Sequence, residues 1–398
     1  MRMPVPWRGR HGPDGCARGP ANAILCLDVH ASNPNMVVTG GADNNVVLMD
    51  RSTGQAAHKM KGHSKKVTHQ CAMPCMLACA AMAVAYCCHC ALRLASRHAL
   101  ALMVSRVAKG HWRRRACLSR RAGVSKGSSV YCHALGCMRA ADLALGLGSR
   151  QINSVLLHTS KDMAFSCSAD KTVKVWAPST GKCVYTFKEH KADVAGISVH
   201  ATGDYLVSAS MDKTWALYDL GVGVCRKVVA DAAVTGGFTA ASFHPDGLIL
   251  GTATTDKLVR VWDVKTQQNV VTFVASDGPL SSIAFSENGF SLVTAGPGGF
   301  KTWDLRKVAK MGAQAQPVQV LKAINGEANQ ATYDYSGQYL ACAGSKGIVV
   351  YETKSYKPVL SLEDCHGNSV AGVSFGPDAR YLASCSKDRT LKFFELGA

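Results

Sequence analysis

A short apolar pattern recurs seven times along the chain, and its spacing constrains the fold more than any other feature of the sequence. In each copy an anchor residue follows apolar residues two and five positions earlier, as in Val194, Ile197 and Val199. The anchors are Val29, Leu157, Val199, Phe243, Phe285, Tyr333 and Phe375. Five of the six intervals are 42 to 48 residues, the length of one four-stranded propeller blade, whereas the first is 128. The spacing therefore predicts an all-β chain folded as a seven-bladed β-propeller.

An acidic residue recurs thirteen positions after four of the anchors. These residues are Asp170, Asp212, Asp256 and Asp388. A buried or half-buried carboxylate must be hydrogen-bonded, so an acid that appears once per blade is expected to tie a turn to a neighbouring loop. We therefore interpret these residues as structural rather than catalytic. Gly298 and Lys346 occupy this position in blades five and six, where we expect looser turns.

The segments around these acids resemble WD repeats. Ser168–Trp176 reads SADKTVKVW, and Arg260–Asp263 reads RVWD. In the WD-repeat family the turn Asp bonds to a His ahead of the blade and supports a large aromatic side chain. The resemblance implies this role for His190 and His366, which lie nine residues before their anchors. The aromatic residues that it assigns to the blades are Trp176, Trp262 and Trp303.

Longer strings resemble one group within that family, the pre-mRNA-processing U-box ubiquitin ligases that scaffold the spliceosomal nineteen complex. The strings are Thr39–Val47, His200–Leu206, Phe243–Ile249, Ile283–Gly289 and Trp303–Lys307. The resemblance implies a nuclear protein that recruits substrates and partners for ubiquitin transfer in pre-mRNA splicing and the DNA-damage response. The partners it implies are spliceosomal and nineteen-complex proteins together with ubiquitination substrates.

The ligase chemistry of that group resides in an N-terminal U-box, which is followed by a tetramerising coiled coil. Residues 1–22 are too short and too rich in Arg, Gly and Pro for either, so we expect this chain by itself not to be catalytic. The sequence contains no Walker loop, GxSxG elbow or HExxH helix. It therefore indicates no catalytic residue, no cofactor and no metal site.

The sequence also bears on how the propeller ring closes. The last blade of such a fold usually takes its outer strand from residues ahead of the first blade. Only the stretch before Ile24 is available, and its proline and glycine content argues against a ladder strand. We therefore treat residues 1–22 as a non-propeller segment and expect imperfect closure with an exposed strand edge.

An atypical insertion at residues 69–153 separates residues 23–68, which form blade one and the start of blade two, from residues 154–398. Between His69 and Arg150 the chain has twelve Lys or Arg and a single acid, and nine of its 17 Cys fall in this stretch. His63–Thr68 would otherwise continue into Ser154–Leu157, so the insertion is predicted to interrupt the first strand of blade two. It lacks the Asp-to-Trp spacing of the repeats, which argues against two extra blades.

Four interpretations of the insertion compete. Cys71–Leu92 is an uncharged run long enough to span a bilayer, although it is mostly Ala, Cys and Met. Its cysteines could bind zinc, but they are not paired as CxxC. The arginines Arg113–Arg115 and Arg120–Arg121, beside Trp112, could contact nucleic acid or direct nuclear import. We favour a retained intron or a mistaken gene model, because the composition changes at both edges while the blade pattern resumes intact.

Three functions are open for the repeats. An interaction scaffold is favoured, because propellers present loops on two circular faces and bind proteins there. Direct RNA binding is an alternative, since Lys213 and Lys257 follow turn acids, but the repeats carry a net charge of only about +4 and offer little counterion release. A generic WD-repeat adaptor outside splicing is the other. The expected location is the nucleus, with no membrane partner.

Overall fold

The computed structural model describes residues 17–18, 23–63, 151–323, 326–345 and 347–395. The described residues all belong to one compact unit. They form seven antiparallel sheets of four strands each. The prediction of an all-β, seven-bladed β-propeller is confirmed.

The strands of the first four blades run in chain order from the innermost to the outermost. A short strand, β1 (Ala17–Arg18), precedes them. Blade one has β2 (Ile24–Val29), β3 (Met36–Gly41), β4 (Asn45–Asp50) and β5 (Gln55–Lys61). Blade two has β6 (Ile152–Leu157), β7 (Ala164–Ser168), β8 (Val173–Ala177) and β9 (Lys182–Phe187). Blade three has β10 (Val194–Val199), β11 (Tyr205–Ser210), β12 (Thr214–Asp219) and β13 (Val224–Ala230). Blade four has β14 (Phe238–Phe243), β15 (Ile249–Thr254), β16 (Leu258–Asp263) and β17 (Asn269–Val274).

The remaining blades follow the same order, with a helix in blade five and a completed sheet in blade seven. Blade five has β18 (Ser282–Phe285), β19 (Ser291–Gly296), β20 (Gly299–Asp304), the helix α1 (Leu305–Met311), a 3-10 turn (Gly312–Gln314) and β21 (Gln319–Leu321). Blade six has β22 (Ala328–Tyr333), β23 (Tyr339–Gly344), β24 (Gly347–Glu352) and β25 (Pro358–Glu363). Blade seven has β26 (Val370–Phe375), a 3-10 turn (Pro377–Ala379), β27 (Tyr381–Ser386) and β28 (Thr390–Glu395).

Each anchor of the sequence pattern is the last residue of the innermost strand of its blade. Inner strands of neighbouring blades pack against one another and line a central channel. The apolar core lies between blades: Phe187 of blade two stacks on Tyr218 of blade three at 4.3 Å, and Trp215 meets Trp262 of the next blade at 5.9 Å. Burying one large apolar side chain in such a layer contributes about 1.5–3 kcal/mol.

The described first strand of blade two is continuous. The strand β6 is complete over six residues and begins at Ile152, which pairs with Ser168 as Val194 pairs with Ser210 in blade three. The boundary predicted at residue 153 falls inside this strand, because Ile152 supplies the apolar residue five positions before its anchor. The insertion therefore enters the connection between His63 and Ile152. The interruption after Thr68 stays a prediction, since residues 64–68 lie outside the described residues.

The stretch ahead of blade one does supply a closing strand. In β1, Ala17 lies opposite Leu391 and Arg18 opposite Thr390, so blade seven gains its fourth strand. The expectation that no ladder strand would form there was wrong at these two residues, which fall in a gap without proline or glycine between Gly15 and Gly19. The strand is nevertheless only two residues long, and the outer edge of β28 beyond Leu391 has no partner strand among the described residues.

Candidate functional site

Blade two contains a buried hydrogen-bond network that joins the histidine ahead of the blade to the turn between its second and third strands. Trp176 Nε1 donates to Ser166 Oγ at 2.8 Å, and Ser166 Oγ donates to His63 Nε2 at 2.7 Å. His63 Nδ1 in turn donates to Asp170 Oδ2 at 2.9 Å. The network ties the turn, the preceding loop and the aromatic residue into one unit. Sequence reasoning missed His63, because the insertion hides its nine-residue spacing from the anchor.

Blade three repeats the network with tyrosine in place of tryptophan. His190 Nδ1 donates to Asp212 Oδ2 at 3.1 Å, and His190 Nε2 accepts from Ser208 Oγ at 2.6 Å. Tyr218 lies 3.1 Å from the same serine oxygen. Burial opposes ionisation of Asp212, but hydrogen bonds from His190 and Thr214 outweigh it and hold the pKa of Asp212 well below its usual range. The turn therefore carries a stable negative charge.

Blade seven has the same arrangement without an aromatic hydrogen bond. His366 Nδ1 donates to Asp388 Oδ2 at 3.2 Å, and His366 Nε2 accepts from Ser384 Oγ at 2.7 Å. Burial lowers the pKa of His366 although Asp388 opposes the shift, so the imidazole is neutral at pH 7. The structure thus brings together two of the predicted pairs, His190 with Asp212 and His366 with Asp388.

The Ser–His–Asp connectivity of these networks resembles that of a hydrolase triad, but the serines are not placed to react. Ser166, Ser208 and Ser384 are each 0% exposed. A nucleophile must reach a substrate carbon, and these hydroxyls are enclosed between sheets and already hydrogen-bonded to histidine. The recurrence of one geometry in three blades favours an architectural role.

Blade four replaces the histidine with an arginine from its own third strand. Arg260 Nη2 lies 3.1 Å from Asp256 Oδ2, and its side chain is 3% exposed. Thr235 Oγ1 donates to the same carboxylate at 2.8 Å. Asp256 is therefore held by a cation on β16 and a hydroxyl from the preceding loop. The predicted Trp262 donates from Nε1 to Thr252 Oγ1 at 2.8 Å, which repeats the aromatic contact of blade two.

Blade five lacks both the acid and the histidine. Gly296 pairs with Gly299, so the turn consists of Pro297 and Gly298, the latter with a φ of 92°. We expected a looser turn in blade five, and the structure has a shorter one. The corresponding residue of blade six, Lys346, lies outside the described residues. Trp303 Nε1 donates to Thr294 Oγ1 at 3.0 Å, so the aromatic contact persists without the turn acid.

The channel wall carries side chains that connect one blade to the next. Asp28 of blade one accepts from the Leu157 backbone N–H at 2.8 Å, and Asn153 of blade two donates to the Val194 carbonyl at 2.6 Å. Ser198 of blade three accepts from the Phe243 N–H at 2.9 Å. Burial raises the pKa of Asp28 to about 6 in spite of the Leu157 hydrogen bond. These contacts are cross-blade links rather than a ligand site.

A second set of cross-blade links was missed by sequence reasoning. His158, His200 and His244 directly follow three anchors, and each donates from Nε2 to a glycine carbonyl of the next blade, at 2.9, 3.1 and 2.7 Å. The acceptors are Gly203, Gly247 and Gly289, all with φ between 71° and 74°, where glycine avoids backbone strain. A histidine recurring one residue after the anchor was the available signal.

A recess of the described surface lies at the channel mouth, where the inner strands end. Its lining includes His200, Pro245, Glu287 and Tyr335, the last 46% exposed. Burial and the neighbouring Asp334 raise the pKa of Glu287. No Lys or Arg lines this recess. A concave face with an exposed tyrosine and acids at its rim is suited to protein contact rather than to chemistry.

Neither a metal nor a membrane site emerges from the described ranges. They contain no cluster of three or more His, Cys, Asp or Glu side chains arranged to hold an ion. Within those ranges no helix has the length and apolar character that crossing a bilayer requires. The cysteine cluster, the uncharged run at Cys71–Leu92 and the arginine tract that were considered above all lie outside the described residues.

Comparison with known proteins agrees with this geometry. The family described as WD domain, G-beta repeat matches residues 147–177, 181–219, 225–263 and 356–395. Rice pre-mRNA-processing factor 19 is 34% identical over 93% of this chain and 54% of its own length. The mouse protein of the same name is 32% identical over 94% of this chain and 56% of its own.

A third relative, pre-mRNA-processing factor 19 homolog 2 of Arabidopsis thaliana, is 42% identical over 62% of this chain and 47% of its own length. The chain thus spans about half the length of the curated relatives that it matches.

Proposed function

Because this chain is a WD-repeat β-propeller homologous to pre-mRNA-processing factor 19 over most of its length, we propose that it is an interaction scaffold in pre-mRNA splicing. Its partners on this proposal are spliceosomal and nineteen-complex proteins. The proposal extends to substrates of an associated ubiquitin ligase and to the DNA-damage response, and it places the protein in the nucleus. Recruitment is the task of this chain, and ubiquitin transfer belongs to other parts of the assembly.

One observation supports this assignment over catalysis. The titratable groups that form His–Asp–Ser networks are enclosed within blades two, three and seven, where their hydrogen bonds join strands and turns. The loops around the channel mouths are accessible instead, and these are surfaces where propellers bind other proteins. A scaffold needs shape and surface chemistry at these faces, and it needs no reactive group.

The test is affinity capture from nuclear extract with a bait in which residues 67–151 are removed. This deletion leaves three residues between His63 and Ile152, the spacing that separates His190 from Val194. The bait thus keeps every described strand and loses the basic insertion that would capture nucleic acid non-specifically.

We expect the bait to recover splicing proteins in nuclease-treated extract, and an unrelated WD-repeat propeller processed in parallel serves as the control. Recovery of the same proteins by both baits would contradict the proposal. So would recovery that disappears after nuclease treatment, because it would indicate that RNA carries the association.

A further inference from the structure

Blade five differs from the other described blades in the connection between its third and fourth strands. In blades one, two, three, four and six this connection has four or five residues, as at 178–181 and 353–357. In blade five it runs from residue 305 to residue 318 and contains α1. Closing a blade needs only the short turn, so the added helix serves another purpose.

The helix α1 is held firmly against the propeller. Val308 is 2% exposed and belongs to the same buried cluster as Trp303 and Phe273, so the inner face of α1 fills the space between blades four and five. Asp304 caps the helix by accepting from the Arg306 N–H at 3.0 Å. The residues on the outer face are therefore presented from a fixed backbone.

The outer face combines cations with exposed apolar side chains. We call Phe290, Arg306, Lys307, Lys310 and Met311 the blade-five patch. Phe290 is 52% exposed, Met311 is 48% exposed, and the Arg306 guanidinium lies 4.8 Å from the centre of the Phe290 ring. Arg306 also binds both carboxylate oxygens of Asp304, at 3.0 and 2.9 Å.

Asp304 balances the charge of Arg306 in this surface, but neither Lys307 nor Lys310 forms an ion pair with a described acidic side chain. Residues 305–323 contain four Lys or Arg and no Asp or Glu. Since like charges one helical turn apart repel weakly, an anionic group that binds near Lys307 and Lys310 would stabilise the face.

We propose that the blade-five patch is a docking surface for an acidic, partly apolar segment of a protein partner. Carboxylates of such a segment would pair with Lys307 and Lys310, while its apolar side chains would cover Met311 and the free face of Phe290. Aromatic residues, Met and Arg are the residue types enriched in the cores of protein interfaces.

The same surface fits a nucleic acid less well. The cations of α1 span only about 6 Å of helix axis between Arg306 and Lys310, whereas a nucleic-acid tract is held by cations spread along about six to ten phosphates. A phosphate backbone also offers no apolar group to cover the exposed Met311 side chain. The inference concerns partner chemistry at residues that do not line the channel-mouth recess, and it does not depend on a role in splicing.

The test measures binding of a fluorescein-labelled peptide of about 15 residues, in which Glu and Asp alternate with Leu and Phe, to the full chain by anisotropy. The double variant Lys307→Glu, Lys310→Glu is expected to weaken binding about fivefold or more, because it replaces two favourable pairs with repulsion. The matched control is Lys354→Glu, Lys357→Glu, which makes the same charge change at exposed lysines of the blade-six turn and should weaken binding less than about twofold.

Two further measurements separate docking from general attraction between opposite charges. The variant Met311→Gln leaves the charge of the patch unchanged. It should still weaken peptide binding by about twofold to threefold, because the apolar contact is lost. Hydrogen exchange should slow in residues 305–311 when the peptide is bound. Equal effects of the blade-five and blade-six variants would overturn the proposal. So would a single-stranded RNA of matched charge that binds the patch more tightly than the peptide does.

Discussion

His190 has both ring nitrogens engaged, one by the buried Ser208 hydroxyl and the other by the half-buried Asp212 carboxylate. Nδ1 donates to Asp212 and Nε2 accepts from Ser208, so removing the ring takes one hydrogen bond from the half-buried carboxylate and one from the buried hydroxyl. A buried polar group that loses its hydrogen bond costs more free energy than the bond contributed when made. The histidine is thus a structural residue whose effect on stability should be measurable.

We expect His190→Ala to lower the free energy of unfolding by about 2–4 kcal/mol, because Asp212 keeps its charge and loses its main partner. Urea unfolding followed by tryptophan fluorescence measures the change. Lys188→Ala, two residues earlier and exposed, is the control and should change stability by less than about 0.5 kcal/mol. A His190→Ala protein as stable as the control would show that the network contributes little.

Asp28 gives a pH dependence with the opposite sign to that of the turn acids. Its pKa is raised from 3.8 to about 6 by burial in the channel wall, so the folded state holds the proton more tightly than the unfolded state does. The contribution of Asp28 to stability is therefore most favourable below about pH 4 and declines as the pH rises through 6.

The variant Asp28→Asn should remove the free-energy cost of burying an ionised carboxylate, while its amide oxygen can still accept from the Leu157 N–H. We expect the variant to be more stable than the parent by about 1–2 kcal/mol at pH 7.5 and to lose that advantage at pH 4. Comparing urea midpoints at both pH values cancels the titration of all other groups. An advantage that did not change with pH would mean that the Asp28 carboxyl titrates normally in the fold.

At the level of elements, the strand β6 keeps its normal pairing although a long connection precedes it. Its six residues pair with β7 in the same register as the inner strands of blades three and seven pair with theirs. None of these pairs uses a residue between 64 and 150. Insertions in connections are tolerated because the cost of closing a loop rises only slowly with its length.

Removing residues 67–151 should therefore leave the propeller intact and at least as stable as the parent. The expected result is a single cooperative unfolding transition with a midpoint no lower than that of the full chain, measured by circular dichroism at the wavelength typical of β-structure. A matched deletion of the same length that starts at residue 70 removes Ile152–Ser154 as well, and it should destabilise blade two because Ile152 is 0% exposed. Equal stability of the two deletions would contradict the assigned boundary.

At the level of the whole molecule, closure of the ring depends on side chains as well as on β1. The β1–β28 ladder contains only two residue pairs. Beside it, Arg51 of blade one forms an ion pair with Glu395, and its guanidinium lies 4.1 Å from the centre of the Tyr381 ring. Tyr381 donates from its hydroxyl to the Pro34 carbonyl at 2.6 Å, which again joins blade seven to blade one.

We expect Arg51→Ala to destabilise the protein by about 1–2 kcal/mol, since it removes a partly buried cation–π contact together with an ion pair. Hydrogen exchange should rise first in β27 and β28. The control is Arg380→Ala at the same seam. The Arg380 side chain is 80% exposed, and its Nη2 lies 3.5 Å from Asp378 Oδ2, so its loss should have almost no effect on stability. Matching exchange profiles for the two variants would show that Arg51 does not hold the seam.

The repeat in the sequence determined the architecture of this protein, because burying one face of a strand imposes the same apolar spacing on every blade. The anchors therefore marked the end of each inner strand, and the turn acids of blades three and seven marked their histidine partners. The tertiary structure alone decided which contacts join separate parts of the chain. Arg260 substitutes for a histidine in blade four, His63 reaches Asp170 across the insertion, and β1 pairs with a strand at the other end of the sequence. These contacts depend on distances in space that the folded chain sets, and a local sequence pattern does not predict them.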